Sequence, residues 1–288
     1  MEASRNSVRL RQLRGDMFKV DIYNTTRSIG FKMVFGIYML FSMAGFIICV
    51  NGDMDTHYQF IRSADENFIL MGTETTFLLK VFTVLFPITS CMISSQSLFK
   101  DISSNRTVTQ IQRCGNQDYI RAKVCTTVIL TFLCTTVPLL INLILCHLVY
   151  PVVGYDTEWG ETSYNIGAWS YESSRFIDLL RLEHPTLFNM IHIMIFGVFA
   201  VLISVLALGI LLHVKERLMV GYLLPIIILL VCTILDAFLM SFSMGGCFMY
   251  NYLLPNSDGN VLEFILLVSV WGVIDWLIIC HGRKCFGN

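Results

Sequence analysis

The stretch Phe99-Lys-Asp-Ile-Ser-Ser-Asn-Arg-Thr-Val-Thr-Gln-Ile-Gln-Arg-Cys-Gly-Asn-Gln-Asp-Tyr-Ile-Arg-Ala-Lys123 separates two long, predominantly apolar runs of sequence. It is polar and carries five of the basic residues of the chain. Apolar runs as long as its neighbours are typical of helices that cross a membrane. We call residues 99–123 the connecting segment, because a predicted membrane helix holds it at each end.

The composition extends this interpretation to the whole chain. Only 14% of the residues are charged and 55% are hydrophobic, whereas a soluble domain carries about 25% charged residues. A chain of 288 residues has room for about six spans of ~20 residues with their loops. We therefore predict an all-α polytopic membrane protein with one transmembrane domain over residues 1–288. Its predicted spans are residues 33–50, 75–99, 124–153, 188–214, 218–241 and 261–280.

The distribution of charge predicts the orientation. Sixteen of the 20 Lys and Arg residues lie in the N-terminal segment, the connecting segment, the 215–217 turn and the C-terminus. Thirteen of the 21 acidic residues lie in the loops 51–74, 154–186 and 255–263. Because basic loops stay in the cytoplasm, we expect both termini and the connecting segment to be cytoplasmic.

Two further elements are predicted at the membrane surfaces. Leu10, Leu13, Met17 and Val20 recur on one face of a helix in the basic segment 1–28, which predicts an amphipathic helix lying in the interface. The alternative is an ordinary basic tail that fixes topology. The apolar run from 218 to 254 is too long for one crossing, so residues 242–256 are predicted to form a broken hydrophobic element at the outer face.

Catalytic and metal-binding motifs are missing from the sequence. There is no Gly-x-x-x-x-Gly-Lys-Ser/Thr phosphate-binding loop, no His-Glu-x-x-His and no Cys/His metal spacing. We therefore expect no catalytic residue, no metal site and no cofactor in this chain, and we expect no nucleic-acid partner.

Three charged residues lie inside predicted spans and outside the acidic loops counted above. Lys80 and Asp236 lie near outer helix ends, and Asp275 lies in the inner half of the last span. Charges inside a membrane are costly, and they commonly mark substrate pathways. Lys80, Asp236 and Asp275 are therefore candidates for a substrate pathway. The alternative is that each is a structural polar contact or reaches the membrane interface.

Within the connecting segment, residues Thr107–Gln112 are predicted to form a short helix that presents Ile111. A capping residue, Ser104 or Asn105, precedes it. Such a helix between two spans can sit in a groove of a soluble partner. The alternative is that residues 100–123 only join two spans and satisfy the positive-inside rule.

The order of these features resembles the ABC-2-type permeases, the membrane subunits of bacterial ABC exporters. The stretch from Asp101 to Lys123 is similar to the family's segment in which an acidic residue and a small-residue turn precede a short helix. An Arg, a few polar residues, a Tyr and a Lys then lead into span three. The resemblance implies that this segment couples the permease to an ATPase. The residues implied in coupling are Asp101, Thr107, Ile111, Arg113, Tyr119 and Lys123.

The resemblance further implies a permease subunit of an ATP-driven exporter in a bacterial cytoplasmic membrane. Its partners would be separate ABC ATPase subunits that bind ATP and Mg, a second permease copy or a paralogue, and membrane lipid. The implied cargo is a peptide, an antibiotic or a lipid-like molecule. The alternative is a membrane sensor or immunity module that recognises an extracellular peptide without transporting it.

Overall fold

The computed structural model describes residues 17–54, 57, 61–104, 106–152, 171, 175–214, 218–240, 249–254 and 259–286. These residues form ten helices and no strand, which confirms the all-α prediction for this part of the chain. The helices are α1 (17–26), α2 (Ile29–Asp53), α3 (Thr76–Ser103), α4 (Arg106–Cys114), α5 (Asn116–Val149), α6 (Asp178–Glu183), α7 (Pro185–Val214), α8 (Leu218–Met240), α9 (Met249–Leu253) and α10 (Val261–Phe286).

Five of the described helices are long and apolar enough to cross a membrane, namely α2, α3, α5, α7 and α10. The shortest qualifying stretch has 23 residues, or about 35 Å at ~1.5 Å per residue, which exceeds the ~30 Å hydrocarbon core. The chain is therefore a multi-pass membrane protein. The sixth predicted span coincides with α8, whose described apolar stretch is the shorter Leu223–Cys232, so six crossings remain a prediction.

The observed helices differ in length from some of the predicted spans. The third span was expected at residues 124–153, but α5 begins at Asn116, directly after Gly115, and ends at Val149. It ends there because Tyr150 is extended, as expected for a residue before proline. The last helix continues beyond residue 280 to Phe286.

The N-terminal helix and the broken outer element are described only in part. Residues 17–26 are helical, as expected, but residues 1–16 lie outside the described residues. Of the predicted element 242–256, the structure describes the short helix α9 and Leu254. An interfacial position of α1 therefore stays a prediction.

Helix α7 is the centre of the bundle. In its most apolar window 83% of the residues are buried, against 28% in α2 and 17% in α10. Helices α3, α5, α8 and α10 all pack against it. Phe196 and Phe199 of α7 are completely buried, and Phe196 meets Phe82 and Phe86 of α3. Helices α3 and α5 therefore share α7 as a packing partner.

Contacts between helix ends define two ends of the bundle. At the first, which we call the α4 end, the Asn116 side-chain amide donates to the Arg283 carbonyl at 3.0 Å and joins α5 to the C-terminal part of α10. Helix α1 lies at the same end, because Asp21 contacts Lys123. The opposite end, which we call the far end, contains the non-helical residues 61–75 and helices α6 and α9.

Gly115 makes the sharp turn between α4 and α5. Its φ of +79° lies in a region that side chains with a Cβ avoid. We predict that Gly115→Ala lowers the free energy of unfolding by about 1 kcal/mol. The matched control is Gly272→Ala in α10, where a Cβ would meet nothing within 4 Å, and we expect it to be neutral or stabilising by up to ~1 kcal/mol. Denaturation in mixed detergent micelles measures the free energy of unfolding of both variants. Equal changes in the two variants would contradict the prediction.

Candidate functional site

The site at the α4 end is built around Lys123, in the second turn of α5. Its side chain is 3% exposed. The Nζ atom donates to Oδ2 of Asp101 on α3 at 2.6 Å and to Oδ1 of Asp21 on α1 at 2.7 Å. One ammonium group thus joins three helices that are far apart in the sequence.

Tyr119 completes this arrangement. It lies one turn before Lys123, and its hydroxyl donates to Oδ2 of Asp101 at 3.3 Å. We call Asp21, Asp101, Tyr119 and Lys123 the Lys123 network. Burying separate charges is costly unless they are paired and hydrogen-bonded. The network therefore fixes the ends of α1, α3 and α5 relative to one another.

The network also offsets an unfavourable helix-end interaction. Asp101 lies in the last turn of α3, near the negative end of its helix dipole, where a carboxylate is destabilising. The ammonium group of Lys123 compensates this charge, so the pair favours keeping the end of α3 against α5.

Helix α4 lies beside the network and turns its less polar side inward. Thr107 is buried, and Ile111 is partly buried against the cluster that contains Leu98 and Ile120. Its outward side is polar except for Val108, whose side chain is 57% exposed. The other exposed residues of α4 are Arg106, Thr109, Gln112 and Arg113. We call these five exposed residues the α4 face.

The structure divides the six expected coupling residues into three groups. Asp101, Tyr119 and Lys123 meet inside the chain. Thr107 and Ile111 pack inward, and Arg113 is exposed on the α4 face. Of the six, therefore, Arg113 is the one fully placed to touch a partner, and the others hold the helix in position.

Sequence reasoning missed Asp21. The pattern that could have indicated its role is a polar helix face formed by Asp21, Thr25 and Ser28, which are separated by four and three residues in the sequence. The structure uses this face as an internal contact. The Thr25 hydroxyl lies 2.9 Å from that of Ser97 on α3, so α1 is attached to the bundle by polar side chains.

A second buried carboxylate lies at the far end. Asp65 is 2% exposed, although its loop was expected to be a plain acidic loop. Its Oδ2 accepts from the Thr186 hydroxyl at 2.7 Å, and its Oδ1 accepts from the Asn189 amide at 2.9 Å. The His147 Nε2 lies 3.7 Å from Oδ2. Asp65 thus fastens its loop to α5 and α7.

The apolar part of this loop is buried with Asp65. Phe68, Ile69 and Leu70 are at most 3% exposed. The Ile69 N–H donates to Oδ1 of Asn142 at 3.1 Å, inside the bundle. We call residues 61–75 the plug, because they fill the space between α2, α5 and α7. The signal in the sequence was the apolar run of residues 68–71 within an acidic loop.

Two thiols lie beneath the plug. The Sγ of Cys49 donates to the Asn67 carbonyl at 3.3 Å, and that of Cys146 lies 3.5 Å from the same oxygen. Both cysteines are at most 1% exposed. They are therefore natural reporters of whether the plug is in place.

The three substrate-pathway candidates are not shown to form one site. Lys80 is exposed on α3. Asp236 is in α8, and its side chain is outside the described part of the structure. Asp275 is 4% exposed on α10, and neither of its carboxylate oxygens accepts a hydrogen bond from the described residues. Their role in transport stays a prediction.

The described residues contain no group of three His, Cys, Asp or Glu side chains that could hold a metal ion. Comparison with protein-family models, curated proteins and solved structures finds no significant match to this chain. The function is therefore argued from its own geometry.

Proposed function

We propose that this chain is the membrane-spanning permease subunit of an ATP-driven ABC exporter in a bacterial cytoplasmic membrane. In this proposal α8 is the sixth span, both termini and α4 face the cytosol, and a second permease copy or paralogue completes the conduit. Separate ATPase subunits bind ATP and Mg and contact the α4 face. The cargo class is a peptide, an antibiotic or a lipid-like molecule.

The observation that carries the proposal is the attachment of α4. A short helix with a polar outer side lies between two membrane helices, and the 2.6 Å contact of Lys123 with Asp101 fixes the adjoining ends of α3 and α5. A loop that only connected two spans would need neither the helix nor the buried charges. A helix that must transmit force needs both.

The path from α4 into the bundle is continuous. Helix α4 is followed by α5 after the single residue Gly115, so a displacement of α4 moves the start of α5. Both α3 and α5 pack along α7, the most buried helix. Closure of an ATPase against the α4 face would therefore shift helices that pack against α7, at the centre of the bundle.

The α4 face also indicates the chemistry of the partner surface. Val108 is an apolar side chain surrounded by Arg106, Gln112 and Arg113. A shallow apolar groove with a carboxylate-bearing rim would complement it, since a buried apolar anchor within a polar rim is the usual form of an interface.

We predict that Val108→Asp combined with Arg113→Glu lowers recovery of a co-purifying P-loop ATPase about tenfold or more, since each ~1.4 kcal/mol lost is a factor of ten. The measurement is the ATP hydrolysis rate of the tagged complex purified from bacterial membranes. The matched control is Arg121→Glu at the same end, whose side chain is 54% exposed outside the α4 face and which should leave recovery unchanged.

Two results would contradict this proposal. One is purification of the intact chain from membranes with no nucleotide-hydrolysing companion. The other is an equal loss of ATPase with Arg121→Glu. A chain that has no ATPase partner and binds a peptide at its outer surface would be the sensor or immunity module instead.

A further inference from the structure

A cavity of about 350 Å³ lies between α3 and α8. Thr83 and Pro87 line it on α3, and Leu230 and Cys232 line it on α8. Ile203 of α7 and Trp271 of α10 close its inner side. Ile203 is 2% exposed and Trp271 is 7% exposed, so both belong to the floor of the cavity.

Proline accounts for the gap. Pro87 has no N–H to donate to the Thr83 carbonyl, and its ring pushes against the preceding turn, so a helix bends at such a position. Helix α8 contains Pro225 in the same way. A bend at either proline would separate the two helices locally and leave space between them.

The lining of the cavity is apolar. Among the described lining residues, the side chains that carry a polar group are Thr83, Cys232 and Trp271, the last through its indole N–H. The Thr83 hydroxyl donates to the Leu79 carbonyl within its own helix, so it is already satisfied. No charged residue of the described part of the chain lines the cavity. It therefore offers little to compensate a polar ligand for its lost water, and an apolar ligand is the one it suits.

The mouth of the cavity faces sideways. Val84 is 63% exposed at its α3 edge, and Leu230 and Ile234 are exposed at its α8 edge. Val84 lies eight residues after the start of α3 at Thr76, or about 12 Å along the helix. That depth lies within the hydrocarbon of a ~30 Å membrane core. Molecules that reach the mouth therefore come from the hydrocarbon.

We propose that this cavity binds one acyl chain of a bilayer phospholipid, which enters sideways between α3 and α8. A volume of about 350 Å³ is at the small end of ligand sites and suits a thin, flexible chain. An empty apolar space of this size would forgo the dispersion contacts of its lining, and a lipid tail supplies them. The inference concerns the chain in its membrane and does not depend on an ATPase.

The test uses the full chain in vesicles of phosphatidylglycerol that contain a fraction of the same lipid with a diazirine at the middle of one acyl chain. After irradiation and digestion, mass spectrometry locates the labelled residues. We expect label on Ile203 and Trp271, which surrounding bulk lipid does not reach. Val84→Trp fills the mouth and should reduce that label about tenfold. Leu230→Trp, at the opposite edge, should do the same.

The matched control is Val270→Trp, on an exposed part of α10 outside the cavity, where the side chain is 55% exposed. This variant should leave the amount of label on Ile203 and Trp271 unchanged. Absence of label from Ile203 and Trp271, or equal label in all three variants, would overturn the proposal. So would efficient disulfide formation between two copies of Leu230→Cys in these vesicles, because a second copy would then cover the mouth.

Discussion

Replacing Lys123 with methionine is expected to lower the free energy of unfolding by about 3–5 kcal/mol, the usual cost of removing one partner of a buried ion pair. The variant leaves Asp21 and Asp101 facing each other without the ammonium group that both contact at 2.6–2.7 Å. Two carboxylates in this position repel each other, so α1 should separate from α3 and α5. Denaturation in mixed detergent micelles measures the loss.

Lys100→Met is the matched control, because Lys100 lies one residue before Asp101 and is exposed. Its effect should be within about 0.5 kcal/mol. A double variant, Asp101→Leu with Lys123→Met, removes both members of the pair and should recover part of the stability, since apolar replacement of a buried pair is often tolerated. Equal stability of Lys123→Met and Lys100→Met would show that the Lys123 network does not hold the helices together.

Replacing Asp65 with alanine should release the plug. The substitution removes the carboxylate that accepts from the Thr186 hydroxyl and the Asn189 amide, while the amide keeps its bond to the backbone carbonyl of residue 65. Loss of hydrogen bonds to a charged group costs about 1.5–3 kcal/mol. If the free energy needed to open residues 61–75 locally falls by about 3 kcal/mol, the fraction of molecules in which the plug is open rises roughly 100-fold. Labelling of Cys49 and Cys146 by a membrane-impermeant maleimide should increase by the same factor, and digestion with mass spectrometry assigns the label to each cysteine.

Glu74→Ala is the control for this experiment, since Glu74 is exposed at the edge of the same loop. It should leave both thiols as slow to react as in the unaltered chain. Unchanged labelling of Cys49 and Cys146 in Asp65→Ala would mean that apolar packing of Phe68 and Ile69 alone holds the plug.

The helices could be predicted from the sequence because apolar runs longer than a membrane is thick admit few other structures. The short helix in the connecting segment could also be predicted, from its polar residues between two spans. Which side of this helix faces the bundle could not be predicted. Val108 and Ile111 are both apolar and lie three residues apart in this short helix, so periodicity does not show which of them faces inward. Packing against Leu98 and Ile120 decides that it is Ile111.

The burial of the Asp21 and Asp65 carboxylates could not be predicted from the sequence. Asp21 is 102 residues from Lys123 in the chain, and in the sequence it is one acidic residue in a basic segment. Asp65 is in a loop whose charges suggest exposure, whereas its neighbours Phe68 and Ile69 need burial. In both places tertiary contacts outweigh local composition, because burial of apolar neighbours stabilises the fold and a charge that is buried with them has to be paired.

The most direct test of the account is a photo-crosslinking amino acid at Val108 in intact bacteria. Val108 is the most exposed apolar side chain of the α4 face. We predict one main crosslinked product, in which position 108 is joined to a chain with an ATP-binding P-loop. The same photo-crosslinking amino acid at position 121, in place of Arg121, should give no such product. Labelling of position 108 by an impermeant reagent added outside the cell, with no product of that kind, would contradict the account.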